Sequence, residues 1–218
     1  MAEPASAPTP WNLPNALTLL RLLMVPLFGW LLLREDGADT ASSVAAVVVF
    51  VVAMATDVLD GRLARERGQV TSFGKIADPI ADKALVGTAL IGLSVLDQVP
   101  WWMTVVILVR EVGVTLLRFL VIQQVVIPAG RGGKTKTALQ TLTLVLLMLP
   151  LPASWSWLTT ALLYLTIVVT VATGVDYLVA AMRLRGAGSQ AQPTPGVDRR
   201  APEASGATGE PVDPPHSA

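Results

Sequence analysis

Four aspartates are spaced in a way that could bind metal ions and move phosphate groups. Asp57 and Asp60 are three residues apart, and Asp78 and Asp82 are four apart, so each pair would share one face of a helix. Four carboxylates brought together repel one another unless cations neutralise them. The chain has no Cys, and its one His is His216 in the tail. The remaining ligands are hard oxygens, which favour Mg²⁺ or Mn²⁺ over zinc.

Small and basic residues accompany these aspartates at fixed offsets. The helical face of the first pair continues with Gly61 and Ala64, and Arg65 lies at its edge. Gly74 lies one turn before the second pair. A different interpretation is that acids near helix ends cap backbone N–H groups or stay solvated among lipid headgroups. That interpretation explains a single aspartate better than it explains the whole set.

The complete pattern resembles the signature of a known family. Asp57-x2-Asp60-Gly61-x2-Ala64-Arg65-x8-Gly74-x3-Asp78-x3-Asp82 is similar to the signature of the CDP-alcohol phosphatidyltransferases, with every fixed position filled. The hydrophobic layout extends this resemblance over about residues 11 to 183. Three further groups resemble the branch that makes phosphatidylglycerophosphate: Asn15-x2-Thr18-x2-Arg21, Arg110-Glu111 with Arg118, and Gly133-Lys134-x-Lys136-Thr137.

The resemblance implies a reaction and a role for each matching residue. CDP-diacylglycerol would donate a phosphatidyl group to glycerol 3-phosphate, giving phosphatidylglycerophosphate and CMP. Two Mg²⁺ or Mn²⁺ ions would be held by Asp57, Asp60, Asp78 and Asp82, and Asp82 would also take the acceptor's proton. CDP-diacylglycerol would contact Asp57, Gly61, Ala64, Arg65 and Gly74, and the acceptor phosphate would contact Arg110, Arg118, Lys134 and Lys136. The resemblance also implies a homodimer.

Several alternatives remain open at this point. Related branches use phosphatidylglycerol, which gives cardiolipin, or inositol phosphate, and both would also need basic residues. Arg110 and Glu111 could form a purely structural ion network. Lys134 and Lys136 could serve merely to set the orientation of the chain in the membrane. A protein of another class, a membrane transporter or a scaffold, would place its acids at mid-membrane depth or repeat its halves. The sequence shows neither feature.

The composition predicts an integral membrane protein. Hydrophobic residues make up 52% of the 218 residues and charged residues only 15%, and the mean hydropathy is +0.58, values that are too apolar for an ordinary soluble domain. We therefore expect an all-α fold that is embedded in membrane lipid and has no nucleic-acid partner. The absence of Cys excludes disulfides and thiol chemistry.

Hydrophobic runs predict six transmembrane helices. They cover about residues 16–33, 41–55, 75–96, 103–127, 140–149 and 155–182. The second run leads directly into Asp57, and a glycine-rich basic loop at residues 128–140 opens the fifth. Arg21 is unusual within the first run. It could extend to the headgroups, or it could hold an anionic group of the substrate.

The distribution of basic residues predicts the orientation. They are concentrated in the second and fourth connections and after the sixth helix: Arg62, Arg65, Arg67 and Lys75, then Arg131, Lys134 and Lys136, then Arg183 and Arg185. The positive-inside rule then places both termini and the aspartates at the cytoplasmic face of a plasma membrane of the bacterial inner-membrane type. We expect a disordered lead (residues 1–10), a membrane catalytic domain (11–185) and a disordered cytoplasmic tail (186–218).

Overall fold

The computed structural model describes residues 13–66, 71–121 and 131–190. Every regular element in those ranges is a helix, which confirms the all-α prediction. The long helices are α1 (Leu13–Leu33), α2 (Thr40–Glu66), α3 (Ser72–Val95), α4 (Trp101–Val121), α5 (Arg131–Met148) and α6 (Ser156–Gln190), with short 3-10 turns at Arg34–Gly37 and Ala153–Trp155. The predicted disorder of residues 1–10 falls outside the described residues. Of the predicted tail, 186–218, the first five residues continue α6 as far as Gln190, and the rest also falls outside the described residues.

The helices correspond to the predicted hydrophobic runs, with one informative difference. α2 continues without a break from its apolar half through Asp57 to Glu66, so the first half of the signature is helical, as its spacing predicted. α5 begins at Arg131, so the prediction of a basic loop through residue 140 was wrong. Lys136 therefore lies on a helix, where backbone geometry fixes the direction of its side chain.

Three described segments are long and apolar enough to cross a membrane: Asn15–Gly37, Thr40–Leu59 and Ala153–Ala180. Large apolar side chains are also exposed along the helices, with Leu23, Val109 and Trp157 all more than half exposed. Apolar exposure on this scale is typical of a surface in contact with lipid rather than water. The fold is therefore compatible with a membrane protein.

α1 packs against both α2 and α3, while α6 packs against α4 and α5. Glycines allow α1 and α3 to approach closely, since a Cβ at Gly29 would lie 3.0 Å from Thr88 Cγ2 and one at Gly92 only 2.5 Å from Leu32 Cδ2. Small residues at contacts between membrane helices have this effect in general. The close packing brings the polar end of α1 beside the aspartates of α2 and α3.

All six long helices contribute to the apolar core, and its most deeply buried part lies between α1, α2, α3 and α4. Phe28 of α1 and Phe50 of α2 are fully buried, and their ring centroids are 5.4 Å apart. Leu85 of α3 and Met103 and Ile107 of α4 are fully buried in the same cluster. This core fixes the rotation of each helix, and therefore the direction in which its polar residues point.

The start of α2 is capped by Asp39. Its carboxylate accepts hydrogen bonds from the Ser42 hydroxyl at 2.5 Å and from the Ser42 and Ala41 N–H groups at 3.1 and 3.3 Å. These bonds, that of the Ser42 hydroxyl first, hold the pKa of the Asp39 carboxyl below its usual range. The cap lies at the opposite end of α2 from the signature.

Candidate functional site

Asp57 and Asp78 are held by side chains of α1. Arg21 donates from Nη1 to Asp57 Oδ1 at 2.5 Å and from Nε to the Ala53 carbonyl at 3.2 Å. Thr18 donates from Oγ1 to Asp78 Oδ1 at 2.6 Å. The structure thus brings an aspartate from each half of the signature against one helix.

The Arg21 side chain is 0% exposed, whereas the Asp57 side chain is 35% exposed. Extension of Arg21 to the headgroups, one of the two interpretations from sequence, is therefore wrong. The guanidinium points into the protein and neutralises a carboxylate that would otherwise be costly next to apolar surroundings. Asp57 keeps enough exposure for a ligand to reach it.

Gly74 lies in a crowded position at the start of α3. Thr71 caps this helix by accepting a hydrogen bond from the Gly74 N–H at 3.0 Å, and it donates to Asn15 Oδ1 at 2.9 Å. A Cβ on Gly74 would lie 3.1 Å from Asn15 Oδ1, 3.3 Å from Thr71 Oγ1 and 3.8 Å from Asp78 Oδ2. Glycine is therefore the residue that leaves this part of the site open.

A second polar cluster surrounds Glu111 of α4. Its carboxylate accepts hydrogen bonds from Lys83 Nζ at 2.6 Å, from Arg110 Nη1 at 3.2 Å and from Lys136 Nζ. The Glu111 and Lys136 side chains are only 5% and 6% exposed. Arg110 also donates from Nη2 to Thr173 Oγ1 of α6 at 3.0 Å. We call Lys83, Arg110, Glu111 and Lys136 the Glu111 cluster.

Lys83 connects the two polar clusters. Its Nζ donates to Asp82 Oδ2 at 3.1 Å as well as to Glu111. Asp82, the residue expected to take the acceptor's proton, is therefore linked through Lys83 and Glu111 to Arg110 and Lys136, two of the cations expected to bind the acceptor's phosphate. The Glu111 cluster has three basic groups and one acidic group, so it keeps an excess of positive charge.

The structure describes only part of the predicted site. The side chains of Asp60, Ala64, Arg65, Arg118 and Lys134 lie outside the described part, although each residue belongs to a described helix. Among the side chains that are described, no three acidic or His groups are close enough together to hold a metal ion. The four-aspartate metal site and the contacts of those basic residues therefore stay predictions.

The described aspartates nevertheless suit a hard divalent cation. Asp57 and Asp78 offer carboxylate oxygens, and a hydrogen bond from α1 fixes the orientation of each. Carboxylate ligands of metals are commonly held by such outer hydrogen bonds. The Asp82 side chain is 27% exposed, so it is also accessible to a ligand.

Sequence reasoning missed several of these contacts. Lys83 was not among the predicted site residues, although it follows Asp82 directly and is one of few charges within an apolar run. The hydroxyls of Thr71 and Thr173 were also missed. Asn15 and Thr18 were noted only as part of the resemblance of Asn15-x2-Thr18-x2-Arg21 and were given no role. Their spacing was an available signal, since residues three apart share a helix face.

Comparison with known proteins decides the family. The sequence model of the CDP-alcohol phosphatidyltransferases matches residues 11–172. The chain belongs to this family. It is therefore a transferase of phospholipid biosynthesis, and the resemblance carried by the aspartate signature is confirmed.

Individual relatives point in the same direction. A probable phosphatidylglycerophosphate synthase of Mycobacterium tuberculosis is 50% identical over 172 residues, which cover 79% of this chain and 82% of the relative. The CDP-diacylglycerol–glycerol-3-phosphate 3-phosphatidyltransferase of Bacillus subtilis is 39% identical over 140 residues, covering 60% and 72% of the two chains. A cardiolipin synthase (CMP-forming) of Streptomyces coelicolor is 40% identical over 100 residues, covering 46% of each.

Proposed function

We propose that the protein transfers the phosphatidyl group of CDP-diacylglycerol to glycerol 3-phosphate, giving phosphatidylglycerophosphate and CMP. The observation that carries this proposal is the direct link from the signature aspartate Asp82 through Lys83 to the Glu111 cluster. A base beside buried cations suits an acceptor that has both a hydroxyl group and a phosphate. The names of the Mycobacterium and Bacillus relatives support the same acceptor.

The four signature aspartates are the proposed ligands of two Mg²⁺ or Mn²⁺ ions: Asp57, Asp60, Asp78 and Asp82. When bound, such ions neutralise a diphosphate and stabilise the departing CMP. Arg21 and Thr18 orient two of these carboxylates, as the hydrogen bonds to Asp57 and Asp78 indicate. We assign the donor's contacts to Asp57, Gly61, Ala64, Arg65 and Gly74. The close packing around Gly74, where a Cβ would lie 3.8 Å from Asp78 Oδ2, supports its part in this assignment.

Asp82 is the proposed general base. The acceptor's hydroxyl oxygen would form a bond to the β-phosphorus of the donor as its proton passes to Asp82, and the bond between that phosphorus and the CMP oxygen would break. Lys83 contacts Oδ2 of Asp82 at 3.1 Å. This contact keeps the carboxylate in place.

We assign the acceptor's phosphate to Arg110, Arg118, Lys134 and Lys136. The positions of Arg110 and Lys136 in the Glu111 cluster support this assignment, because both are held in a single arrangement by a buried carboxylate. Arg110 Nε is buried and has no hydrogen-bond partner among the described residues. An acceptor phosphate would give this donor a partner.

We further propose six transmembrane helices with both termini in the cytoplasm, the site at the cytoplasmic face of a bacterial plasma membrane, and assembly as a homodimer. Six long helices among the described residues and the positions of the basic residues support the topology. A donor anchored in lipid and an acceptor dissolved in water must meet at such a surface.

Cardiolipin synthesis is the second candidate, with phosphatidylglycerol as the acceptor. The Streptomyces relative named as a cardiolipin synthase favours it. That relative covers less than half of this chain, so we rank it below the glycerol 3-phosphate reaction. An inositol phosphate acceptor, the other branch considered from sequence, has no comparable support from the relatives described above.

An acceptor screen tests the proposal. Purified protein in detergent is given CDP-diacylglycerol and Mg²⁺ or Mn²⁺, and CMP release is followed with glycerol 3-phosphate, phosphatidylglycerol or inositol phosphate. Release that depends on glycerol 3-phosphate alone is the expected result. Release with only one of the other acceptors would keep the aspartate site and assign the protein to that branch. No release with any acceptor would contradict the proposed function.

A further inference from the structure

α1 has three buried polar residues at intervals of three. Asn15, Thr18 and Arg21 are 6%, 1% and 0% exposed, and this spacing puts them along one stripe of the helix. The rest of α1 is almost entirely apolar and contains no Asp or Glu. Polar groups are costly inside an apolar helix unless each has a suitable partner.

Each of the three contacts a different part of the aspartate signature. Arg21 bonds to Asp57 on α2, and Thr18 bonds to Asp78 on α3. Asn15 accepts the hydrogen bond of the Thr71 cap, two turns before Asp78. The partners are 36, 60 and 56 residues away in the chain. A single helix thus sets the relation between the two halves of the signature.

The hydrogen-bond partner of Thr18 indicates that this residue does more than fill space in the protein interior. A threonine in a helix can satisfy its hydroxyl locally, as the half-buried Thr115 does by donating to the carbonyl of Glu111 four residues earlier. Thr18 instead donates to a carboxylate oxygen of another helix at 2.6 Å. A carboxylate that binds a metal needs a fixed orientation, and outer hydrogen bonds supply it.

We propose that α1 is a positioning helix. Arg21 and Thr18 orient the carboxylates of Asp57 and Asp78 for a divalent cation and the nucleotide diphosphate, and Asn15 fixes the start of α3 through Thr71. This inference rests on the proposed function, because it assumes that those aspartates bind metal. It adds three positioning residues, none of which is a ligand itself.

Mn²⁺ binding to the purified, detergent-solubilised protein tests the proposal without turnover. Binding is measured by electron paramagnetic resonance in the presence of CDP, for the wild type, Thr18→Val and Thr18→Ser. Removing an outer-shell partner typically weakens metal binding by about 10- to 100-fold, and we expect that loss for Thr18→Val. Thr18→Ser keeps the hydroxyl and should bind Mn²⁺ nearly as well as the wild type.

Thr143→Val is the matched control. Thr143 is 1% exposed, and its hydroxyl lies 2.8 Å from that of Thr166 on α6. The variant also loses a buried hydroxyl that joins two helices, but it touches no signature residue. We expect Thr143→Val to lower the thermal midpoint as Thr18→Val does, while leaving the Kd for Mn²⁺ unchanged.

Failure of this inference and failure of the proposed function give different results. If the wild type binds Mn²⁺ and Thr18→Val binds it equally well, the positioning role of α1 is wrong and the proposed reaction stands. If the wild type binds no Mn²⁺ with CDP, the metal site is wrong, and the positioning role fails with it. CMP release in the acceptor screen then decides separately whether the reaction occurs.

Arg21→Lys provides a second measurement. Lysine keeps the positive charge next to Asp57. It lacks the second donor, Nε, with which Arg21 bonds to the Ala53 carbonyl. We expect the apparent KM for Mn²⁺ to rise while the KM for glycerol 3-phosphate stays the same. A rise in the KM for glycerol 3-phosphate alone would instead assign Arg21 to the acceptor and contradict the proposal.

Discussion

At the scale of single residues, Asp82 contacts Lys83, a lysine of the Glu111 cluster. Asp82→Asn keeps an oxygen ligand but cannot accept a proton. We expect turnover to fall by about 10²- to 10⁴-fold, the usual contribution of a general base, while CDP binding is largely retained. Single-turnover CMP release and CDP titration measure the two quantities.

Asp176→Asn is the control for that substitution. Asp176 is exposed on α6, and we assign it no chemistry. Its amide variant should keep normal turnover. Near-normal turnover in Asp82→Asn as well would remove Asp82 from the mechanism.

Glu111 holds Lys83, Arg110 and Lys136 in one arrangement. Glu111→Gln removes the negative charge that these cations share and leaves them to repel one another. Losing one partner of a buried ion network commonly costs about 3–5 kcal/mol, so we expect a lower thermal midpoint. We also expect the KM for glycerol 3-phosphate to rise at least about tenfold, the equivalent of about 1.4 kcal/mol.

Glu35→Gln is the control that tests whether the loss of stability in Glu111→Gln arises because Glu111 is buried. Glu35 forms a 3.9 Å ion pair with Arg34 in which both side chains are exposed, and such surface pairs contribute little. The variant should change neither the thermal midpoint nor the KM. If Glu111→Gln lowered stability but left the KM unchanged, the cluster would be purely structural.

At the scale of helices, two glycines provide a comparison. A Cβ at Gly113 of α4 would meet nothing within 4 Å, whereas one at Gly74 of α3 would crowd Asn15 and Thr71. Alanine is preferred over glycine inside helices by about 0.8–1.0 kcal/mol. Gly113→Ala should therefore raise the thermal midpoint without affecting activity.

Gly74→Ala should not raise the thermal midpoint in this way, because the new Cβ must displace its neighbours at the start of α3. We expect a weaker affinity for CDP with Mn²⁺, measured by titration calorimetry. Equal stabilisation by both alanines, with unchanged CDP affinity, would show that the space around Gly74 has no role in binding.

The helices themselves were largely predictable from the sequence, because long apolar runs and shared helix faces are local properties. The bounds of α1 and α3 lie within a few residues of the predicted runs. The contact of Arg21 with Asp57 and that of Lys83 with Glu111 were not predictable. They join residues 36 and 28 positions apart, and they depend on the rotational orientation in which core packing holds each helix.

The error at α5 has a similar physical origin. Glycine and lysine in residues 131–136 are poor signals for a membrane helix, so sequence reasoning favoured a loop there. In the structure Lys136 is buried against Glu111. Tertiary contacts of this kind stabilise a helix whose own residues favour it weakly.

At the scale of the whole molecule, the proposed topology can be tested because the chain has no Cys. Single cysteines at the exposed positions Ala38 and Ala153 should react with a membrane-impermeant maleimide added to intact cells. A cysteine at exposed Glu66, just after the first half of the signature, should react only after the cells are opened. The reverse pattern would invert the orientation of the site.

The ion pair between Arg21 and Asp57 has a consequence for biogenesis. During synthesis α1 enters the membrane before α2, and at that moment its arginine lacks the carboxylate that neutralises it. An arginine in a membrane helix raises the cost of inserting that helix, by about 2.5–3.5 kcal/mol at the helix centre and by less towards the ends. Asp57 emerges from the ribosome 36 residues later, so α1 and α2 gain by leaving the translocon together as a hairpin. The same contact that orients an aspartate of the site would then also govern the order in which the protein is assembled.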